Sequence, residues 1–213
     1  MKIKYLGHAC FIITSDTGMK IITDPFTTGN DLTYGKIKET ADIVTVSHDH
    51  FDHNNVSEVR GNPRVVRGTT EVKGIEFRGT TTYHDDAEGQ LRGKNTIFCF
   101  EVDGIRTCHS GDLGHQLNAQ QAAELGKIDL LLIPVGGFYT IDAKVASRIC
   151  NQMKPKVIIP MHWNNKWRFP EIASVDEFLQ GKQDVSRLDT TEVEFKLGKL
   201  PTTTQIMVLR SAL

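Results

Sequence analysis

The chain has 213 residues, 39% apolar and 24% charged, which excludes a disordered polypeptide and leaves enough length to bury a sizeable core. Its 25 basic and 26 acidic residues give a net charge of −1, against the basic excess of a general nucleic-acid binder. No apolar run nears the ~18 residues of a transmembrane helix. The opening MKIKYLGHACF lacks the apolar stretch and cleavage site of a secretory signal and reads as a strand. At roughly 150 residues per domain, the length favours one domain over 1–213.

Short apolar or β-branched runs predict strands at 3–6, 10–14 and 20–23, separated by Gly7-His8 and by Asp16-Thr17-Gly18 as turns. A polar loop spans 27–40. The nearly continuous apolar run 41–47 predicts a strand covered on both faces. A short helix is expected at 54–60, and strand pieces over 64–83 are punctuated by Gly68, Gly74 and Gly79. After a loop at 85–95, strands 96–102 and 105–108 bracket the hairpin turn Asp103-Gly104. The texture then alternates: helix 116–125, strand 129–135, helix 143–153, strand 157–161, helix 175–179 and strand 205–209. Antiparallel strands followed by strand–helix units imply an α/β fold of sheets with helices packed outside. Four scattered cysteines form no CxxC pair, and Cys10 and Cys99 lie in apolar runs that suit buried reduced thiols and a cytoplasmic protein.

The informative stretch is Ser47-His48-Asp49-His50-Phe51-Asp52-His53, an H-x-H-x-D-H pattern directly after the predicted buried strand. Imidazole and carboxylate suit zinc, and also iron or manganese. His48 and His50, two apart, can point the same way from an extended segment, while Asp52 and His53 follow on a bend and can face a second ion. A structural zinc site is more often closed by cysteines, and none is near, so an open, catalytic site is favoured. Three further ligand candidates end predicted strands: His84 in GTTTYH, Asp112 in TCHSGDLGH and His162 in VIIPMH.

This pattern resembles the metallo-β-lactamase fold superfamily over essentially the whole chain. Leu6-Gly7-His8-Ala9-Cys10-Phe11, Asp24-Pro25-Phe26, Gly29-Asn30, His109-Ser110-Gly111-Asp112, Ile133-Pro134-Val135-Gly136-Gly137 and Pro160-Met161-His162 resemble one branch of it. That branch holds prokaryotic metal-dependent hydrolases related to ascorbate-6-phosphate lactonase and, more distantly, to N-acyl phosphatidylethanolamine phospholipase D. The resemblance implies a four-layer αββα sandwich of two mixed β-sheets with the metals at one edge. It assigns His48, His50 and His84 to a first divalent ion, Asp52, His53 and His162 to a second, and Asp112 to a bridge between them. His109 is left open as an alternative to His84, as an outer partner of the ligands or as a group that acts on the substrate, and relatives in the superfamily often assemble into homo-oligomers.

Ligating histidines usually donate their second N–H to a carboxylate or carbonyl, which makes Asp24, Asp49 and Asp85 candidate outer partners. His8, in a tight turn, is a partner or substrate donor. Lys166 and Arg168, just past His162, suit a phosphate or carboxylate. Trp163, Trp167, Phe138 and Tyr139 are candidate apolar walls. The chemistry expected is hydrolysis of a small, anionic ester, lactone or phosphoester by a water that two zinc ions (or manganese or iron) bridge and deprotonate, with Asp52 and Asp112 among the catalytic groups. A phosphodiesterase or nuclease of the same fold, and a metal-binding regulator without turnover, are the competing readings. No nucleic-acid or membrane partner is expected.

Overall fold

Two β-sheets meet face to face over a shared apolar core in the computed structural model, which describes residues 1–29, 31–166 and 170–213. Asn30, Trp167 and Arg168 lie outside the described residues. The first strands in chain order are β1 (Lys2–Gly7), β2 (Cys10–Thr14), β3 (Lys20–Thr23), β4 (Ile43–Thr45), β5 (Arg64–Val66) and β6 (Thr70–Val72). Next come β7 (Ile75–Tyr83), β8 (Lys94–Val102), β9 (Ile105–His109), α1 (Ala119–Leu125), β10 (Leu130–Pro134), α2 (Ala143–Met153) and β11 (Val157–Met161). The chain closes with α3 (Val175–Leu179), β12 (Val185–Arg187), β13 (Glu192–Glu194) and β14 (Gln205–Val208). One sheet has the order β13-β1-β2-β3-β4-β5, and the other β12-β14-β11-β10-β9-β8-β7-β6. Both mix parallel and antiparallel pairs.

The period-2 geometry of a strand sorts the apolar residues between layers. Ile3, Tyr5, Phe11, Ile13, Ile21 and Ile43 of the first sheet face Phe77, Phe98, Phe100, Leu130, Leu132, Val157 and Ile159 of the second. The alternate residues Leu131, Ile133 and Ile158 face outward, against α2 and α3. Strands apolar on both faces read as unbroken runs, which is why 129–135 and 157–161 stand out in the sequence. Local chemistry sets the helix starts. Asp142 accepts the N–H of Val145 at 2.7 Å, and Asn118 and Gln121 form a reciprocal capping box.

The outer face of the first sheet is covered differently. Among the described residues no α-helix lies on it. Phe26, Leu32, Tyr34, Ile37 and Ala41, from the irregular segment after β3, pack on Cys10, Ile12, Ile22 and Val44 instead. The short helix expected at 54–60 is a single 3-10 turn at Val56–Glu58 beside this layer. Strands β12 and β13, absent from the sequence reading, have only three residues each and the polar sequences VSR and EVE. No helix among the described residues is long and apolar enough to cross a membrane.

The cysteines need a correction. Cys99 is not a reduced thiol: it stands directly opposite Cys108 across the β8–β9 pair, with Cα atoms 4.2 Å apart, and the two are joined as a disulfide. Nine residues of sequence separation concealed a contact that the hairpin register creates. Cys10 and Cys150 are buried free thiols, and burial pushes the Cys150 thiol up to about 12. Thiol titration of the unfolded chain without reductant should count two groups, rising to four after reduction. Four from the outset would overturn the bridge.

Candidate metal centre

Strand direction gathers the site. In the first sheet β1 and β3 both run antiparallel to β2, and β4 is parallel to β3, so β1, β3 and β4 end on one edge. In the second, β7 and β9 both oppose β8, and β9, β10 and β11 are parallel, so their C-terminal ends also share an edge. The two edges touch: the N–H of His162 donates to the carbonyl of His8 at 3.0 Å. Every chemistry-bearing residue follows one of these ends: His8 after β1, Asp24 after β3, the 47–53 segment after β4, His84 after β7, Asp112 after β9 and His162 after β11. His8, Asp24 and His162 have positive φ (56°, 38° and 49°), a backbone region that non-glycine residues occupy only when the surroundings hold them there.

Three groups of ligating atoms result, one of them, Asp24, His48 and His53, overlapping the other two. His48, His50 and His84 form one, and His8, Asp52, His53 and His162 the other, the atoms of each lying within 4.8 Å of one another. Asp112 stands between them. Its Oδ2 is 3.2 Å from Nε2 of His84 and 3.9 Å from that of His48, and 3.1 and 3.3 Å from those of His53 and His162. His8 lies closer than expected of an outer partner, its Nε2 being 3.2 Å from Asp52 Oδ2 and 3.0 Å from His53 Nε2.

Electrostatics prepare these groups for a cation. Burial, helped by neighbouring histidines, lowers His48 to about 3 and His8 to about 4, so both are neutral and offer lone pairs. Burial alone would raise the carboxyl of Asp112, but His162, His53 and His84 together hold it well below the usual range. Burial likewise opposes a proton on His53, yet Asp112, Asp52 and Asp24 together raise its pKa well above the ordinary imidazole value, so a cation bound at this nitrogen would replace a proton that the same carboxylates attract. Among the described residues, His48 Nε2 and Asp112 Oδ1 are buried without a hydrogen-bond partner. Leaving such a group unsatisfied costs about 1–3 kcal/mol, a deficit that a divalent cation at this imidazole and carboxylate set would remove.

One buried carboxylate orients ligands of both groups. Asp24 accepts the Ser47 N–H at 2.8 Å through Oδ1, and through Oδ2 accepts His53 Nδ1 at 2.9 Å and the Ser47 hydroxyl at 2.5 Å. Because the hydroxyl proton goes to Asp24, the 2.8 Å contact between Ser47 Oγ and His48 Nδ1 must carry the histidine's proton. His48 and His53 therefore both turn Nε2 to the cavity. Ser47 escaped the sequence reading, although a hydroxyl immediately before the H-x-H-x-D-H run was the available signal. Asn95 places Asp112 by accepting its N–H at 2.9 Å, and Gly111 (φ 53°) passes so close to Asn95 and Ser47 that a Cβ would overlap both.

Three expectations are corrected. His109 reaches neither group: its Nε2 donates to the Ala9 carbonyl at 2.7 Å and its Nδ1 accepts the Gly111 N–H at 3.2 Å, so both nitrogens brace backbone. Asp85 holds no histidine. Its carboxylate receives the N–H groups of Ala87, Gly89, Leu91 and Arg92 and fixes the loop after His84. Those four donors outweigh burial and lower its pKa. Lys166 is turned away, its Nζ donating to the Leu213 carbonyl and lying 5.9 Å from the Tyr34 ring. Asp49 is also engaged elsewhere, by Arg67 and Asn54. A cavity of about 480 Å³ opens over the centre, walled by His50, Phe51, Asp52, His84, Arg92, Asp112, Tyr139 and His162, with Asp31 at its side.

A family model described as "Beta-lactamase superfamily domain" matches residues 2–162, a span that ends on the last ligand candidate. The chain is 33% identical over 208 residues to a "UPF0173 metal-dependent hydrolase" from Carboxydothermus hydrogenoformans, covering 84% of this chain and 90% of the relative. A protein of the same name from Archaeoglobus fulgidus is 31% identical over 230 residues, covering 93% and 97%. Among solved structures, a candidate Zn-dependent hydrolase of the metallo-beta-lactamase superfamily from Thermotoga maritima is 39% identical, with a TM-score of 0.80 over 98% of this chain and 97% of that one. Igni18, a metallo hydrolase from Ignicoccus hospitalis, shares the fold at 24% identity and a TM-score of 0.65, over 84% of this chain and 88% of its own.

Outer partners of this kind typically affect metal affinity or activity by about 10–100-fold. Ser47→Ala and Asp24→Asn should each weaken metal binding within that range in a competitive chelator titration, with the circular-dichroism spectrum preserved. Unaltered affinity in both variants would show that the hydrogen bonds do not orient the ligands.

Proposed function

The chain belongs to the beta-lactamase superfamily as one of its metal-dependent hydrolases, and from that premise we propose a dinuclear zinc enzyme acting on a small ester, lactone or phosphoester. The observation that carries this reading is Asp112 Oδ2, set within 3.1–3.9 Å of four imidazole nitrogens drawn from both groups of ligands. His48, His50 and His84 would hold one ion. Asp52, His53 and His162, joined by His8, would hold the other, with Asp112 bridging. Bound there, the two cations supply acidification of water to a nucleophile near neutral pH and polarisation of the oxygen at the electrophilic centre.

The protein's part is to fix this arrangement. Asp24 and Ser47 lock the tautomers of His53 and His48, and His109 ties the Ala9 backbone to that of Gly111. Asp112 Oδ1, buried and unpartnered among the described residues, would be satisfied by a cation held there. Phe51 and Tyr139 give the cavity wall its aromatic surface. We take 1–213 as one hydrolase domain, supported by the near-complete mutual coverage with the Thermotoga maritima structure.

The test pairs metal analysis with turnover. Purified protein should carry two equivalents of metal and hydrolyse at least one of bis-p-nitrophenyl phosphate, a p-nitrophenyl ester and a lactone panel, with activity lost on chelation. Asp112→Asn should cost more than the roughly 100-fold typical of outer partners. One equivalent of metal, or undiminished turnover in Asp112→Asn, would sink the dinuclear mechanism. No turnover after loading with zinc, manganese or iron would sink these substrate classes.

A further inference from the structure

Among the described residues, the cation best placed to meet a substrate is not Lys166 but Arg92. Its root is fixed, because its own N–H is one of the four that the Asp85 carboxylate accepts, at 2.7 Å. Its guanidinium carbon lies 5.3 Å from the centroid of the Tyr139 ring, which contributes to the cavity wall. Stacking of this kind leaves the edge of the guanidinium plane, with its fork of donors, to face a ligand. Arg92 also borders a second cleft of about 380 Å³ that opens on the other side of His50, where Arg67 and Lys94 are the remaining cations. The carboxylate in that cleft, Asp49, is already taken by Arg67 and Asn54. Among the described residues no carboxylate forms an ion pair with Arg92 or Lys94.

A planar, pre-positioned, unpaired guanidinium beside a metal centre matches the bidentate geometry of a carboxylate or phosphate. We infer that Arg92 is the specificity-determining residue of this site. It seats an anionic group, carboxylate or phosphate, of the substrate in the cleft between itself and Lys94, while the scissile bond lies over His50, His84 and Asp112. Tyr139 and Phe51 cover the less polar part of the same molecule. The inference rests on the hydrolase reading above and adds the class of substrate: an ester that carries a second, anionic group beside the bond to be cut.

The experiment compares wild-type, Arg92→Gln and Arg92→Lys proteins, all metal-loaded, on p-nitrophenyl butyrate, p-nitrophenyl hemisuccinate and the phosphonate analogue of the hemisuccinate. A lost charge-assisted hydrogen bond corresponds to about 10- to 100-fold in binding. Arg92→Gln should lower kcat/KM for an anionic ester relative to the neutral one by that factor, mostly through KM, which marks lost binding. Arg92→Lys should recover part of it, since the charge returns without the fork. The anion whose preference collapses identifies the group as carboxylate or phosphate. Calorimetric titration with succinate and with inorganic phosphate gives a second reading that needs no turnover: affinity for one of them should fall by the same factor in Arg92→Gln. An unchanged anionic-to-neutral ratio, or equal affinity for both anions in wild type and Arg92→Gln, overturns the inference while leaving the hydrolase reading intact. Absence of turnover on all three esters counts against the hydrolase reading, and the titrations still decide the role of Arg92.

Discussion

The parallel sense of the strands on either side of the core is the constraint on which the rest depends. Eight ligand candidates, spread from His8 to His162, and the orienting Asp24 come together because β1, β3, β4, β7, β9 and β11 all finish on the same edge of the sandwich. Strand ends anchored in an apolar core are rigid supports, so each side chain leaves a fixed point. The core and the site are consequently one construction. The same alternation that drives Leu132 and Ile159 between the sheets ends in β11 at Met161 and hands over to His162 at the rim.

Assembling these groups opposes folding. Buried polar atoms without partners, backbone in the left-handed region at His8, Asp24 and His162, and burial of ionisable carboxylates and imidazoles all cost free energy. Compensation comes from hydrogen bonds that each serve more than one residue. Asp24 satisfies Ser47 and His53 together, Asn95 binds Thr82, Ser110 and Asp112, and His109 joins the backbone after β1 to that after β9. These bonds are shared between elements, so the edge is ordered as a unit.

What the sequence made legible follows from how local each feature is. The H-x-H-x-D-H run stands out because its ligands are contiguous, and α2 and β11 were bounded correctly because an amphipathic helix and an unbroken apolar run are local patterns. Groups made by tertiary contact were not legible in the same way. Ser47 acts only through Asp24, 23 residues earlier. Arg92 acts only where a loop knotted on Asp85 meets Tyr139, and Lys166, adjacent to the site in sequence, is drawn off by Leu213. His109 was overrated because its sequence spacing from Asp112 hid the two backbone groups that claim its nitrogens. The helical outer layer expected over the first sheet is replaced by irregular chain, since burying an apolar face requires apolar side chains and not any particular secondary structure.

That replacement ties the interior to the entrance. In the segment after β3, Leu32, Tyr34 and Ile37 are sealed against the first sheet, and the Thr33 N–H and hydroxyl both bond the Lys166 carbonyl. The neighbouring residue, Asp31, stands in the wall of the cavity. The stretch is thus at once a piece of the foundation and part of the doorway. A change of volume at Leu32 would be felt one residue away as a change in the shape of the opening, so this rim can be remodelled only by rebuilding the floor beneath it.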